Sequence, residues 1–291
     1  MNPKIKFNKT NNAEINSWIT LFDEEFNDEL LLYHYTSFNK ACKILDGNTF
    51  RFSKLSLTND PIEAKPKITA RSDLAKKNLH TVLLHFEKVN KSSLKLLCFS
   101  KDTKIKDEMK INKNPINDYT GRGFSLPRMW AQYGDNNKGV CFIVNKKKLI
   151  DDINNRAIYR NRIICCDDVM YKSFFNPYHI NNEELADLNE YFSTDDILLD
   201  FQFLKDNSSF IKFNYFCKAK DWEHENEFRI LGFSNDEINI NHTSNYIEGI
   251  VIGENMDATN TRIIHLLNNN EKPLYRIKFN YDACNLENIN F

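Results

Sequence analysis

Short apolar segments recur along this chain at irregular intervals: "LLYHYT", "LKLLCFS", "GVCFIV", "EFRILGF", "YIEGIVIG" and "LYRIKF". Each is too short for a buried helix, and all but the apolar run "LKLLCFS" are rich in β-branched or aromatic residues, so each reads as a strand. The stretches between them carry a different period. Ile15, Trp18, Ile19, Phe22 and Phe26 predict an amphipathic helix within residues 13–30, and Leu74, Leu79, Val82, Leu83 and Phe86 predict a second over residues 73–89. Ser37 is placed to cap a short helix ending at Gly47-Asn48, "SLPRMWAQYG" reads as another short helix, and residues 181–217 are mostly helical. "TFRFS" and residues 161–171 supply further strands, and residues 259–267 a helix between the last two. No repeat and no Pro/Gly/Ser linker divides the chain. The expectation is a single α+β domain over residues 31–291 with helices inserted into its sheet, preceded by a helical extension over residues 1–30.

A chain of 291 residues that is 41% hydrophobic can bury a large core, and a formal charge of -1 marks no whole-chain nucleic-acid or membrane binder. No segment has the form of a signal peptide and no apolar run is long enough to span a bilayer, which places the expected location in the cytoplasm, away from membranes. The seven cysteines contain no C-x-x-C pair and read as reduced, buried small residues; the adjacent Cys165 and Cys166 bridge only with strained geometry.

The strong chemical motifs are missing. There is no phosphate-binding G-x-x-x-x-G-K-[ST] loop, no G-x-G-x-x-G after a strand, no H-E-x-x-H and no G-x-S-x-G elbow. His224 lies among glutamates in "EHENE", but strand alternation turns it away from Glu223 and Glu225, so no metal is expected.

Two segments hold candidate chemistry. In "KDWEHENEFRILGF" acidic residues occupy every second position from Asp221 to Glu227 before an apolar run. As a strand it directs Phe228 and Ile230 to one face and Glu225, Glu227 and Arg229 to the other. That charged face is either a solvated edge, with Arg229 neutralising one carboxylate, or a cleft wall whose paired carboxylates stabilise an oxocarbenium-like centre during glycosidic cleavage. In "YHYTS" the polar pair His34 and Thr36 shares one face of an otherwise apolar strand. Trp130 and Tyr133, at helical spacing in "MWAQY", fit aromatic stacking on a ligand and packing on a core equally well, while Asn59 and Asp60 suit a turn.

"LLYHYTS", "LSLTNDPIE", "LLCFS", "MWAQYGDNNKGVCF", "YKSFF" and "KAKDWEHENEFRI" together resemble the bacterial domain of unknown function 2971 family over residues 31–253. That family in turn distantly resembles the ADP-ribosyltransferase superfamily. The resemblance implies a split mixed or antiparallel sheet that grips NAD as substrate, with no metal. It assigns His34 to a ribose of NAD and Glu227 to the nicotinamide ribose, and gives Tyr35, Thr36 and Ser37 supporting contacts. Glu225 becomes the first carboxylate of an E-x-E pair that orients or deprotonates the acceptor. Trp130 or Tyr133 would stack on nicotinamide, Ser53 would stand for the second motif, and Arg229 would pair with a glutamate or bind a phosphate. The implied activity is transfer of ADP-ribose to an acceptor macromolecule (protein or nucleic acid) or a nucleobase, in bacterial defence or toxicity. A plain NAD glycohydrolase, a non-catalytic nucleotide- or partner-binding module, and a nucleic-acid-directed effector using the Lys-rich residues 101–123 are the alternatives.

Overall fold

The computed structural model describes residues 31–70, 73–103, 121–173, 177–191, 197–257, 272–280 and 284–288. The expected helices over residues 13–30 and 259–267 lie outside these, as does most of the Lys-rich stretch. In chain order the elements are β1 (Leu31–Thr36), α1 (Phe38–Gly47), β2 (Thr49–Arg51), β3 (Ser53–Lys54), β4 (Ile68–Ala70), α2 (Asp73–Ser92), β5 (Leu94–Lys101), α3 (Pro127–Gln132), β6 (Val140–Asn145), α4 (Lys146–Asn155) and α5 (Ala157–Arg160). They continue with β7 (Ile163–Asp168), β8 (Met170–Lys172), β9 (Tyr178–Ile180), α6 (Asn182–Tyr191), α7 (Ile197–Asp206), α8 (Ser208–Tyr215), β10 (Cys217–Ala219), β11 (Glu227–Phe233), β12 (Asn239–Asn241), β13 (Ile247–Ile252), β14 (Leu274–Phe279) and β15 (Cys284–Asn288).

The main sheet is mixed, ordered β15-β14-β13-β6-β1-β5-β11-β7, with β3 also on the edge of β5. The β13-β14 pair is parallel and the other pairs along this path are antiparallel. This bears out an α+β domain with a mixed sheet and inserted helices. The first strand is central: β1 pairs with β6 along all six residues, but with β5 only at Leu32↔Lys101 and Tyr33↔Ser100. Beyond Tyr33 the two strands part.

Strand alternation divides the core. One face carries Leu32 of β1, Leu97 and Phe99 of β5, Phe142 and Val144 of β6, and Phe228 and Ile230 of β11, packed under α1 and α4. The opposite face holds two separate apolar clusters. One joins Tyr33, Tyr35 and Cys141 to Met129 and Trp130 of α3, and the other joins Leu94, Leu96, Leu231 and Phe233 to α2, α6, α7 and α8. At about 1.5–3 kcal/mol for each large side chain removed from water, these layers hold the sheet rigid. What lies between the two clusters is polar.

Local signals explain the helix ends. Asn48, at φ 49°, ends α1 in the left-handed conformation and donates its N–H to the carbonyls of Ile44 and Leu45. Ser37 is extended but makes no side-chain cap bond, whereas Asn145 caps α4 by accepting from the Lys148 N–H at 3.0 Å. Among the described residues, which include all seven cysteines, no disulfide forms, and no helix is long and apolar enough to cross a membrane.

Candidate functional site

Glu227 opens β11, and the residues before it do not continue the strand. Lys220–Glu225 form a turn of 3-10 helix, and Asn226 at φ 41° reverses the backbone into β11. The Asn226 side-chain amide donates to the carbonyls of Lys101 (3.2 Å) and Asp102 (2.8 Å), fixing this turn to the end of β5. Because β11 lies between β5 and β7 with all seven residues buried, the solvated-edge reading is corrected. Strand alternation is also not what brings Glu225 and Glu227 together.

A lysine does. The ammonium of Lys218, on β10, donates to Glu225 Oε2 at 2.6 Å and to Glu227 Oε2 at 3.1 Å. Arg229 holds Glu227 in a fork, Nε to Oε1 at 2.6 Å and Nη2 to Oε2 at 2.8 Å, while its Nη1 donates to the Tyr215 carbonyl at 2.7 Å and its Nη2 also pairs with Glu63. Tyr133 donates its hydroxyl to Glu225 Oε1 at 2.6 Å, and the Glu227 N–H donates to the Tyr171 hydroxyl at 2.9 Å. Glu225, Glu227, Arg229, Lys218 and Glu63 are all buried.

The carboxylates therefore differ. Burial works against the ionised form of Glu227, but Arg229 and Lys218 outweigh it and bring its pKa down to about 2. Glu225 is raised, because burial outweighs Lys218 and the Tyr133 hydrogen bond, and the charge of Glu227 adds to the rise. Glu227 is a fixed charge, while Glu225 is the group able to exchange a proton. Lys218 stays protonated because Glu227, Glu63 and Glu225 overcome its burial.

Ser100 completes the arrangement. It pairs with Tyr33 on one side and with Glu227 on the other, so all three side chains share one face, with neighbouring Cβ atoms about 5 Å apart. Its hydroxyl is buried and has no hydrogen-bond partner, which is uncommon for a buried polar atom and leaves it available to a bound molecule. Two residues along β5, on the same face, the half-buried Cys98 thiol donates to Glu227.

The other expected residues scatter. His34 is on the opposite face from Glu227, where its ring meets Phe50 edge-on at 5.1 Å and Phe99 at a tilt at 5.5 Å. Its Nδ1–H donates to the Cys98 carbonyl at 3.0 Å, filling the gap where β1 and β5 part, and burial lowers its pKa, so it is neutral. The shared cleft implied for His34 and Glu227 is not formed. Thr36 is buried on the His34 side, and Ser37 stands at the N-cap position just before α1. Tyr35 donates to the Gly123 carbonyl at 2.7 Å and Trp130 donates its ring N–H to the Phe124 carbonyl at 2.8 Å; both are buried against each other, which removes Trp130 as a stacking platform. Tyr133 remains at the carboxylates. Ser53 is exposed on β3 opposite Leu96, about 13 Å along β5 from Ser100 at roughly 3.3 Å per residue. The donors of Arg229 are engaged by Glu227, Glu63 and Tyr215, which fits its expected pairing with a glutamate and corrects the phosphate contact.

Lys218, Glu63 and Ser100 were not singled out by sequence reasoning. Ser100 carries a signal only in hindsight, as the sole hydroxyl in "LKLLCFS", and Lys218 as a cation just ahead of the acidic run. An open groove is lined by Arg128, Ser173, Lys220, Asp221, Glu223 and His224, with neither Glu225 nor Glu227 in its wall. Among the described residues no cluster of three or more His, Cys, Asp or Glu is arranged to hold a metal ion.

No curated protein and no solved structure matches the chain. One family model does: residues 129–230, which carry Tyr133, Lys218, Glu225, Glu227 and Arg229 but not His34, Glu63 or Ser100, match the family described as "Protein of unknown function (DUF2971)".

Proposed function

We propose that this chain is an ADP-ribosyltransferase-like enzyme that cleaves the bond between nicotinamide and ribose in NAD and passes the ADP-ribosyl group to an acceptor. The observation that carries the reading is the meeting of two unlike carboxylates, Glu225 and Glu227, on one ammonium, beside the unpartnered buried hydroxyl of Ser100. Cleavage of a glycosidic bond builds positive charge on the ribose, which a fixed carboxylate stabilises, and the acceptor must lose a proton as it attacks. Glu227 supplies the fixed charge, screened in part by Arg229 and Lys218. Glu225, with its raised pKa, takes the acceptor proton. Ser100 Oγ hydrogen-bonds a ribose hydroxyl. His34 has no part in this chemistry, a departure from the superfamily pattern. The acceptor is a protein, nucleic acid or nucleobase; water in its place gives a plain NAD glycohydrolase.

A second reading is favoured by a specific observation. Glu227 already accepts from Arg229 twice, from Lys218 and from Cys98, and His34 faces away, which suits a non-catalytic nucleotide- or partner-binding module on the same fold. The test is nicotinamide release from NAD by the purified chain, with NAD affinity measured by calorimetry, for wild type, Glu225→Gln and Ser100→Ala. Release that falls at least 100-fold in Glu225→Gln supports the enzyme. Binding that weakens in Ser100→Ala, without release in any form, supports the module. No binding and no release rejects both.

A further inference from the structure

The "TNDPIE" segment and the four residues after it have no role in the chemistry above, yet two buried side chains from this stretch, Glu63 and Lys67, reach that network. Asp60 shapes the turn: its Oδ1 accepts from the Ile62 N–H at 2.8 Å and its carbonyl from the Glu63 N–H at 3.2 Å, with Pro61 at the corner. The Ala64 carbonyl accepts from Asn90 of α2 at 2.9 Å, and the Asn90 side-chain oxygen accepts from the Tyr215 hydroxyl at 2.9 Å. The turn is thereby fastened to α2 and α8. From it Glu63 pairs with Arg229 Nη2, and Lys67 donates from Nζ to the carbonyls of Asn214 (2.8 Å) and Cys217 (2.9 Å). The Lys67 N–H also donates to Asn214 Oδ1 at 3.0 Å.

These contacts act on the two cations that hold the carboxylates. The Arg229 fork on Glu227 is already tied at Nη1 to the Tyr215 carbonyl, and Glu63, pairing with Nη2 from a different element, adds a charged partner that fixes the guanidinium from a third side. Cys217 immediately precedes Lys218, so the bond from Lys67 to its carbonyl sets where the Lys218 ammonium stands. We propose that residues 58–67 are a positioning clamp for the carboxylate site, in which Glu63 orients Arg229 and Lys67 fixes the strand that carries Lys218. This rests on the reading of Glu225 and Glu227 as the reacting carboxylates. Neither Glu63 nor Lys67 touches substrate in this scheme. The charged and titratable groups around Lys67 are Glu63 and Asp60 of its own turn, Cys217 of β10 and Arg229 of β11, and burial foremost lowers its pKa to about 8.

The experiment is amide hydrogen exchange by mass spectrometry on the full chain, alongside the pH profile of nicotinamide release, for Lys67→Met, Lys67→Arg and Glu63→Gln. Lys67→Met is expected to speed exchange across residues 217–225 at least tenfold while leaving β6 and β13 within twofold of wild type, and Lys67→Arg to return most of that protection. In turnover, Lys67→Met and Glu63→Gln lower kcat about tenfold, leave KM within twofold and displace the acid limb of the profile. Unchanged exchange over residues 217–225 in both Lys67→Met and Glu63→Gln overturns the clamp, and so does acceleration spread equally over all strands, which marks a purely structural role. Should Lys67→Met fail to fold, Glu63→Asp is read by the same criteria. A wild type that releases no nicotinamide removes the enzyme reading, while the exchange measurement still decides the clamp.

Discussion

His34 and Glu227 occupy opposite faces of the same sheet. The register Tyr33↔Ser100↔Glu227 puts those three side chains on one side, and the next residue of β1 necessarily points to the other. Two segments that look alike in the sequence, each a charged or polar residue inside an apolar strand, are therefore built for different tasks. Around His34 the surroundings are Phe50, Phe99 and a backbone carbonyl left open by the parting of β1 and β5.

His34→Ala is expected to act on stability. It leaves the Cys98 carbonyl without its donor and opens space between two aromatic rings, at a cost of about 2–4 kcal/mol. Urea unfolding measures that loss, and calorimetry on the folded fraction is expected to give a wild-type affinity for NAD. An affinity reduced tenfold or more in folded His34→Ala would return His34 to the binding site.

The depressed pKa of Glu227 makes stability depend on acid. With a folded value of about 2 against 4.5 for the free group, its contribution is fully present above pH 4.5 and is lost as pH falls through 4.5 towards 2. The difference corresponds to about 3 kcal/mol at about 1.4 kcal/mol per unit. Unfolding free energies at pH 6 and pH 2.5 are expected to differ by roughly that much less in Glu227→Gln than in wild type, provided the variant folds. The variant starts lower, since Arg229 and Lys218 then lose a buried partner, a loss of about 3–5 kcal/mol. An identical acid slope in the two proteins would refute the assignment.

The elements were legible because their signals are local. Strands such as "LKLLCFS" and "GVCFIV" declare themselves by composition, and α2 by its apolar stripe, so the α+β architecture follows from the sequence. The acidic run misled because alternation holds only where the backbone is extended: Asn226 in the left-handed region breaks it between Glu225 and Glu227. Whether a charged strand is edge or centre depends on its neighbours, and β11 acquires β5 and β7 from positions far away in the chain. Lys218, Glu63 and Ser100 were illegible for the same reason. Each is ordinary where it stands in the sequence, and only the register of β5 with β11 and the reach of residues 58–67 bring them together.

"GDNNKG" makes a separate test of local backbone chemistry. Asp135, Asn136 and Asn137 all have positive φ, at 52°, 52° and 64°, and this tight left-handed turn joins α3 to β6. Asn and Asp tolerate that region, while β-branched residues do so at a cost of about 1–2 kcal/mol. Since Asn136 is exposed, Asn136→Val is expected to lose about that much in urea unfolding with few contacts to confuse the result. Asn136→Gly is expected to stay within about 0.5 kcal/mol of wild type. Equal stability of the Val and Gly variants would show that the turn does not hold this conformation.

The neighbours of Glu225 give an ordered prediction for its proton affinity. Burial raises its pKa, Lys218 opposes this most strongly, and the Tyr133 hydrogen bond opposes it less. Tyr133 serves as a donor because its own hydroxyl is held protonated, first by burial and then by the Glu225 charge. If Glu225 takes the acceptor proton, activity requires its ionised form, so the acid limb of the pH profile for nicotinamide release reports its pKa. Tyr133→Phe removes the weaker support and is expected to move that limb to higher pH. Lys218→Met removes the stronger and is expected to move it further in the same direction. At low pH both variants therefore lose activity relative to wild type, and Tyr133→Phe recovers most of its own as pH rises past the displaced limb. A limb that stays in place in Tyr133→Phe while kcat falls uniformly at every pH would mean that Tyr133 does not tune Glu225, and that another group sets the acid limb.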